Sequence, residues 1–229
     1  MKLSIIIPCY NEKDLVPELL TRVKKAPVND KEIILVDDGS SDGTAEMIRA
    51  ELETMVNRVV YHPKNMGKGA AIRSGLAQVT GDMVIIQDAD LEYDPQEYPK
   101  LIQPILDGKA DVVFGSRFTG EGPHRVHMFW HYAGNKFLTL IANMVSNLNL
   151  TDMETGFKVF RAEVIRGIEL KENRFGIEPE LTIKIAKEKC RVYEVGISYH
   201  GRSYPEGKKV TWKDGLTAIY VIVKYGIFG

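Results

Sequence analysis

Three carboxylates stand close together in the stretch QDADLEYDP, residues 87–95: Asp88, Asp90 and Glu92. They follow directly on the apolar run DMVII, so a buried strand would deliver them at its end. Carboxylate oxygens are the ligands that Mg²⁺ and Mn²⁺ prefer. A strand continuing through them would place Asp88 and Asp90 on one face, about 7 Å apart. The alternative interpretation is a solvated acidic turn, and only the surrounding elements separate the two.

The elements that would position these residues alternate between two types. Short apolar runs typical of buried parallel strands are LSIII, EIILVDD, RVVYH, DMVIIQDAD and ADVVFGSR, and helical patterns separate them. Further on, FGIEPELTIKIAKEKC predicts a helix with Glu178 and Glu180 in its first turn. The alternation predicts an α/β fold with a doubly wound, mostly parallel sheet over residues 1 to about 117 and helices on both faces.

The polar segments after the strands predict where a ligand binds. In open α/β sheets, ligands lie beyond the carboxyl ends of the strands, where this chain has PCYNE, VDDGSSD, HPKNMGKG, QDADLE and GSRF. No G-x-G-x-x-G follows the first strand, and GKGA lacks the earlier glycine and the Ser/Thr of a P-loop. Since carboxylates repel phosphate, a phosphate-bearing ligand here requires a divalent cation. The sequence therefore predicts Mg²⁺ or Mn²⁺ held by Asp88, Asp90 and Glu92.

Composition limits the classes of function. The 229 residues are 44% hydrophobic and carry a formal net charge of -1, which predicts a globular protein with no nucleic-acid partner. Cys9 and Cys190 fit reduced thiols better than a disulfide framework. The apolar N-terminal stretch is short and interrupted by Pro8, and no run approaches the ~20 apolar residues of a transmembrane helix. These features favour a cytoplasmic location.

The chain resembles a known family through an ordered set of motifs. These are IIIPCYNE, ILVDDGSSDGT, NMGKGAAIRSG, IIQDADLEYDP, GSRF, TDMETGFKVFR and FGIEPE. Together they resemble the family-two glycosyltransferases of the GT-A fold, and most of all the dolichyl- and polyprenyl-phosphate mannose or glucose synthases. The resemblance implies a single domain: a nucleotide-sugar (donor) half in 1–117, an acceptor half in 118–210 and a C-terminal amphipathic, apolar helix in 211–229.

The resemblance assigns the donor site to the first half of the chain. Pro8, Tyr10 and Glu12 would frame the nucleotide base, with Asp37 and Asp38 holding base or ribose. For Pro8 and Tyr10, the alternative is an ordinary turn at a strand end.

The same resemblance divides the roles of the acidic stretch. Asp88 would face the nucleotide and Asp90 would bind the metal, while Glu92 stands where the family often has Gln. Lys68 could support phosphate, or it could be a solvated lysine.

A basic loop completes the donor site in this interpretation. Arg202 and Lys208 resemble a loop that closes over the donor diphosphate, and the alternative is a solvated basic loop. As plain chemistry, such a loop could order when an anionic ligand arrives.

The acceptor residues follow from GSRF and TDMETGFKVFR. Arg117 matches an arginine that grips a lipid phosphate, and Asp152 stands where the family has a carboxylate facing the acceptor. The family's second phosphate arginine is replaced by His131, with Asn135 one turn later, which weakens the case for a lipid phosphate. The alternatives are a surface ion pair for Arg117 and a helix N-cap for Asp152.

Three functions remain open. The favoured one is inverting, metal-dependent transfer of glucose or mannose from a UDP- or GDP-hexose to a polyprenyl phosphate at the cytosolic face of a membrane. The second uses a soluble saccharide or small-molecule hydroxyl, for which Asp152 would be the general base. The third is a nucleotide-sugar binding module without catalysis. The apolar tail, Leu216 to Phe228, is too short to span a bilayer; it could lie in a membrane interface, pair with another subunit or pack on the sheet of its own domain.

Overall fold

A seven-stranded sheet forms the centre of the molecule. The computed structural model describes residues 1–120, 126, 128–202 and 212–228. Its strands are β1 (Leu3–Cys9), β2 (Lys31–Asp37), β3 (Arg58–Tyr61), β4 (Met83–Ile86), β5 (Val112–Ser116), β6 (Lys158–Arg161) and β7 (Val192–Gly196). They lie in the order β3-β2-β1-β4-β6-β5-β7.

The sheet is mostly parallel, as the alternation of elements predicted. Parallel pairs join β1 to β2 and β4, β2 to β3, and β5 to β7. Strand β6 is antiparallel to both β4 and β5 and lies between them. The first and second halves of the chain therefore share one sheet. The division into donor and acceptor halves at 117 and 210 stays a prediction.

Helices cover both faces of the sheet. They are α1 (Val16–Lys25), α2 (Thr44–Met47), α3 (Lys68–Leu76), α4 (Tyr98–Leu106), α5 (Phe129–Ser146), α6 (Ala162–Gly167), α7 (Ile177–Lys187) and α8 (Trp212–Ile227). Because side chains alternate along a strand, Ile5 of β1 packs in one core with Leu19 of α1, while Ile6 packs in a second core with Ile72 of α3. Both faces are thus buried, which is why the strands read as continuous apolar runs.

The last helices form a separate small core. Met153, Val221 and Ile222 are buried in it together with Ala142 of α5 and Ile183 of α7. Helix α8 therefore packs mainly against α5 and α7, rather than on the sheet. Within the described residues, no helix combines the length and the apolar character needed to cross a membrane.

Candidate active site

The carboxyl ends of β1, β2, β4 and β5 face one edge of the sheet, and the acidic stretch follows β4. Strand β4 ends at Ile86, so Asp88 and Asp90 lie in the turn beyond it. Leu91 has a φ of 60°, a left-handed conformation that marks this turn. The expectation that strand geometry spaces the two aspartates was therefore wrong. Their placement at the carboxyl edge was right.

Asp38 organises the loop that leads into α3. Its Oδ1 accepts a hydrogen bond from Met66 N at 2.9 Å, and its Oδ2 accepts one from Gly67 N at 2.7 Å. His62 Nδ1 lies 2.6 Å from the same Oδ1. Gly67 has a φ of 98°, and a Cβ there would lie 2.2 Å from Asn173 O, so the loop requires glycine. Asp38 has protein partners here, and its predicted contact with base or ribose stays a prediction.

Asp37, Pro8 and Tyr10 lie beside one another where β1 and β2 end. Pro8 pairs in register with Val36, and Pro8 and Tyr10 are half-buried. Asp37 Oδ2 accepts a hydrogen bond from Ser40 N, while Oδ1 is buried and lacks a hydrogen-bond partner among the described residues. A buried carboxylate oxygen without a donor is unfavourable, so this atom could accept a hydrogen bond from a ligand.

Asp88 belongs to a buried chain of alternating charges. Its Oδ1 lies 2.8 Å from Lys68 Nζ, which lies 2.9 Å from Glu178 Oε1. Glu178 also contacts Lys158, whose ammonium donates to the carbonyl of Thr155. Burial opposes the charge on Lys68, yet Asp88 and Glu178 raise its pKa well above the usual value. Two ammonium groups thus balance two carboxylates, as burial of charge requires.

Asp90 lies in an excess of negative charge. Burial, followed by the neighbouring Asp88 and Glu92 carboxylates, raises the pKa of Asp90 to about 7. The guanidinium of Arg202 only partly compensates, since its Nη2 lies 3.2 Å from Asp90 Oδ2 and 3.2 Å from Glu12 Oε1. Arg202 therefore forms ion pairs with both Glu12 and Asp90, two carboxylates that were predicted for the same site.

Both carboxylate oxygens of Glu92 have protein partners, and its role as a third metal ligand beside Asp88 and Asp90 stays a prediction. Its Oε2 accepts a hydrogen bond from Tyr199 Oη at 2.6 Å, and its Oε1 accepts one from Arg202 N at 2.7 Å. Glu92 therefore fixes the start of the basic loop. Among the described residues, no three His, Cys, Asp or Glu side chains are grouped to hold a metal ion.

The pair Asp88 and Asp90 nevertheless fits a divalent cation. Mg²⁺ is commonly held by one or two carboxylates together with substrate phosphates and waters, so two protein ligands are sufficient. Negative charge is in excess at this point, because Asp88 and Glu92 lie close to Asp90 and Arg202 opposes them only in part. The oxygen donors also match the preference of Mg²⁺ and Mn²⁺.

Arg117 and Asp152 form a buried pair beyond the end of β5. Arg117 Nε donates to Asp152 Oδ2 and Nη2 donates to Oδ1, both at 2.7 Å. The backbone N–H of Arg117 and the side chain of Asn135 donate to the same carboxylate, each at 3.0 Å. Burial raises the pKa of Asp152, but Arg117 lowers it further, so the net shift is downward. The sequence alone allows a helix N-cap for Asp152 and a surface ion pair for Arg117; in the structure the two residues form a buried pair with each other.

The remaining predicted residues divide into two groups. Asn135 contacts Asp152 and His131 lies one turn earlier in α5. Lys208, and its neighbour Lys209, lie outside the described residues.

Part of this charge network is not predicted from the sequence. Lys158 and Glu154 received no role, and Glu178 was placed only in the first turn of a helix. The sequence could have indicated a role for Lys158, because this residue interrupts the apolar run GFKVF and a buried lysine requires an anionic partner. That partner, Glu178, is twenty residues away.

This fold and arrangement define a class of enzyme. Residues 4–168 match the family model described as glycosyl transferase family 2, and the chain belongs to that family. The dolichol-phosphate mannosyltransferase of Pyrococcus furiosus is 33% identical over 236 residues, covering 98% of this chain and 64% of the relative. The undecaprenyl-phosphate 4-deoxy-4-formamido-L-arabinose transferase of Yersinia enterocolitica is 30% identical, covering 90% of this chain and 62% of the relative. The chain thus spans less than two thirds of the length of these curated relatives.

Solved structures share the fold. Glucosyl-3-phosphoglycerate synthase from Mycobacterium tuberculosis, crystallised with Mn²⁺, UDP and phosphoglyceric acid, superposes with a TM-score of 0.76 at 19% identity. The match covers 100% of this chain and 79% of that chain. A second crystal structure of the synthase contains Mg²⁺ and UDP. At this identity the likeness concerns the fold, and it agrees with the predicted GT-A type.

Proposed function

We propose that this protein transfers a hexose, glucose or mannose, from a UDP- or GDP-sugar to a polyprenyl phosphate, with inversion at the anomeric carbon. The observation that carries the proposal is the Arg117–Asp152 pair, which fixes a guanidinium beyond the end of β5. The names of the two curated relatives, which describe transfer involving dolichol phosphate and undecaprenyl phosphate, support the same acceptor chemistry.

Arg117 is the group that binds the acceptor phosphate in this proposal. A guanidinium has five N–H donors, and the pair with Asp152 uses those of Nε and Nη2 in a fixed orientation. The guanidinium N–H groups that do not face Asp152 can donate to a phosphate, which accepts several charge-assisted hydrogen bonds.

Asp152 is a positioning residue. It is buried, accepts four hydrogen bonds and has a lowered pKa, so it is poorly suited to take a proton. A hydroxyl acceptor would require a general base, whereas a phosphate is already ionised near neutral pH. The geometry of Asp152 therefore favours the phosphate acceptor over the soluble hydroxyl acceptor.

The donor site is assigned to residues at the ends of β1, β2 and β4. Asp37 and Asp38, with Pro8, Tyr10 and Glu12, would hold the nucleoside, and Asp88 and Asp90 would hold Mg²⁺ or Mn²⁺. A bound divalent cation would neutralise negative charge that develops on the leaving diphosphate. Arg202 and Lys208 would add positive charge at that group. Arg202 contacts Glu12 and Asp90, so a donor diphosphate at this place would compete with those carboxylates for its guanidinium.

The reaction is a single displacement in this proposal. An oxygen of the acceptor phosphate forms a bond to the anomeric carbon as the bond from that carbon to the diphosphate breaks. The bonding electron pair leaves with the nucleoside diphosphate, and the attack from the opposite face inverts the configuration. No covalent enzyme intermediate is required.

Exposed apolar side chains on α5 and α8 would place the enzyme at the cytosolic face of a membrane. On α5, Trp130, Phe137 and Met144 recur every seven residues, and Trp130 is 81% exposed. On α8, Leu216 and Tyr220 are exposed one turn apart. Such faces on neighbouring helices suit insertion into the headgroup region.

The membrane contact is tested by co-sedimentation with vesicles. We expect the double variant Trp130→Glu/Phe137→Glu to bind more than about tenfold more weakly, because each buried apolar side chain contributes roughly 1.5–3 kcal/mol. Leu106→Glu, at an exposed apolar position on α4, is the matched control and should bind like the wild type. Equal binding by the double variant would contradict the contact.

The acceptor assignment is tested by kinetics of Arg117 variants. Arg117→Ala should lower kcat/KM for polyprenyl phosphate by about tenfold to a hundredfold, because a charge-assisted hydrogen bond contributes roughly 1.5–3 kcal/mol. Donor binding should change little. Arg117→Lys keeps the positive charge but loses the planar guanidinium with its paired N–H donors. Its activity should therefore lie between that of Arg117→Ala and that of the wild type.

Asp152→Asn separates the two acceptor classes. A mild loss of kcat is expected if an ionised phosphate attacks, and a severe loss if a hydroxyl must be deprotonated. Thermal unfolding of each variant controls for structural damage. Unchanged acceptor kinetics in Arg117→Ala, together with an inactive Asp152→Asn, would contradict the lipid-phosphate acceptor.

A further inference from the structure

Residues 152–156 connect the acceptor side of the site with the donor side. At one end, the Asp152 carboxylate holds the guanidinium of Arg117. At the other end, Gly156 lies against Asp88, since a Cβ on Gly156 would be 2.2 Å from Asp88 Oδ2. The backbone N–H of Gly156 also donates to Tyr93 Oη at 2.8 Å. Both ends of this five-residue segment are therefore fixed, and Glu154 is its middle residue.

Glu154 lacks a hydrogen-bond partner for one of its carboxylate oxygens among the described residues. Glu154 Oε1 is buried and has no hydrogen-bond partner within the described part of the chain, although the residue as a whole is half-buried. Asp152, two positions earlier, accepts four hydrogen bonds. Burial, together with the carboxylate of Glu178, raises the pKa of Glu154 to about 7. Native proteins rarely leave such an oxygen unsatisfied.

The surroundings of Glu154 are rigid and charged. Lys158 contacts both Glu178 and the carbonyl of Thr155, so the chain immediately after Glu154 is tied to α7. Glu178 in turn lies 2.9 Å from the ammonium of Lys68, which pairs with Asp88. These ion pairs and hydrogen bonds therefore fix the segment that carries Glu154.

In a direct displacement, the transferred sugar must lie between the leaving diphosphate and the attacking phosphate. The proposed function places the diphosphate near Asp88 and the acceptor phosphate near Arg117. Residues 152 and 156 are four peptide units apart, so their Cα atoms are at most about 14 Å apart. Glu154 is the residue midway between them, and its carboxyl group is close enough to Arg117 and Asp152 for their charges to act on it.

We infer that Glu154 binds a hydroxyl group of the transferred sugar and so contributes to selection of the donor. The inference rests on the proposed function. The unpartnered oxygen accepts the hydrogen bond that the protein does not supply, and the ligand is a hexose hydroxyl. A sugar that lacks this hydroxyl would leave the oxygen unsatisfied, and such an omission strongly reduces turnover at sites built for hydrogen bonding.

The test compares binding of the nucleotide with use of the nucleotide sugar. Glu154→Ala should lower kcat/KM for the donor by about tenfold to a hundredfold, while the Kd for the corresponding nucleoside diphosphate, measured by calorimetry, stays within about twofold. Glu154→Gln keeps an acceptor oxygen of similar size and should lose less than Glu154→Ala. Glu163→Ala, at an exposed glutamate of α6, is the matched control and should behave as the wild type.

Monodeoxy donors identify the hydroxyl. One of them should lower wild-type kcat/KM by a similar factor and cause no further loss in Glu154→Ala, because both changes remove one hydrogen bond. Unchanged donor kcat/KM in Glu154→Ala, an equal loss of nucleoside diphosphate affinity, or full additivity with every deoxy donor would each overturn the inference. Transfer by the wild type to a soluble hydroxyl would instead overturn the proposed acceptor, and the donor measurements would still decide the role of Glu154.

Discussion

The buried carboxylates at the two ends of the central sheet differ in the hydrogen-bond donors around them and in the direction of their pKa shifts. At the amino end, Glu32 accepts hydrogen bonds from the ammonium of Lys2, the hydroxyl of Ser4, both the N–H and the hydroxyl of Thr80, and the N–H of Gly81. These donors outweigh the effect of burial and lower the pKa of Glu32 to about 2. This carboxylate is fully partnered within the protein.

At the carboxyl end, Asp37, Asp90 and Glu154 lie in less favourable surroundings. The pKa of Asp90 and that of Glu154 are each raised to about 7, in both cases first by burial and then by neighbouring carboxylates. Asp37 Oδ1 is buried without a hydrogen-bond partner among the described residues. Strongly perturbed groups in a cleft are characteristic of functional sites. Glu32 at the amino end therefore stabilises the fold, whereas Asp37, Asp90 and Glu154 at the carboxyl end are carboxylates that we propose contact a ligand.

The largest effect is expected for activity at the carboxyl end. Asp90→Asn should lower kcat/KM by about a hundredfold or more, comparable with loss of one preorganised electrostatic group. The Tm should not fall, because the change removes a negative charge between Asp88 and Glu92. Asp107→Asn, on the exposed surface after α4, is the control for activity. Retained turnover with unchanged metal dependence would contradict the assignment of Asp90.

A smaller effect, and one on stability alone, is expected at the amino end. Glu32→Gln should lower the free energy of unfolding by about 1–3 kcal/mol, because Lys2 loses its charged partner and several donors face an amide. Urea denaturation measures this loss, and kcat/KM at moderate temperature should match the wild type. A variant with wild-type stability but reduced turnover would reverse the comparison.

The smallest effect is the pH dependence of that stability. The folded-state pKa of Glu32, about 2, lies below its ordinary value of 4.5, so its stabilising contribution is complete above pH 4.5 and is lost as pH falls toward 2. The difference in unfolding free energy between the wild type and Glu32→Gln should therefore shrink from pH 6 to pH 3.5. A constant difference across this range would show that the Glu32 contacts act independently of its charge.

The sequence was sufficient for the layout of the fold. Alternating apolar runs and helical patterns indicated a mostly parallel sheet, and the polar segments after the strands indicated the edge where Asp88, Asp90 and Arg117 lie. These signals are local, since each depends on the residues within one strand and the turn that follows it. The antiparallel position of β6 between β4 and β5 was not predicted, because the residues of one strand do not indicate which distant strand it pairs with.

The hydrogen bonds and ion pairs between distant side chains could not be predicted from the sequence. Glu92 was predicted as a metal ligand, yet its partners Tyr199 and Arg202 are more than one hundred residues away. Asp152 was predicted as a site residue, but its pairing with Arg117, thirty-five residues away, could not be predicted from the spacing. These contacts decide whether a carboxylate is available to a ligand, and they depend on the folded structure.

The most direct test of the account is a competition between acceptors. The wild-type protein is incubated with Mg²⁺ or Mn²⁺, a panel of UDP- and GDP-hexoses, and equal amounts of a polyprenyl phosphate and the corresponding polyprenol. The account predicts that hexose appears on the polyprenyl phosphate, with one nucleoside diphosphate released for each sugar transferred, and that polyprenol stays unmodified. Transfer to polyprenol or to a soluble hydroxyl compound, with none to the polyprenyl phosphate, would contradict it.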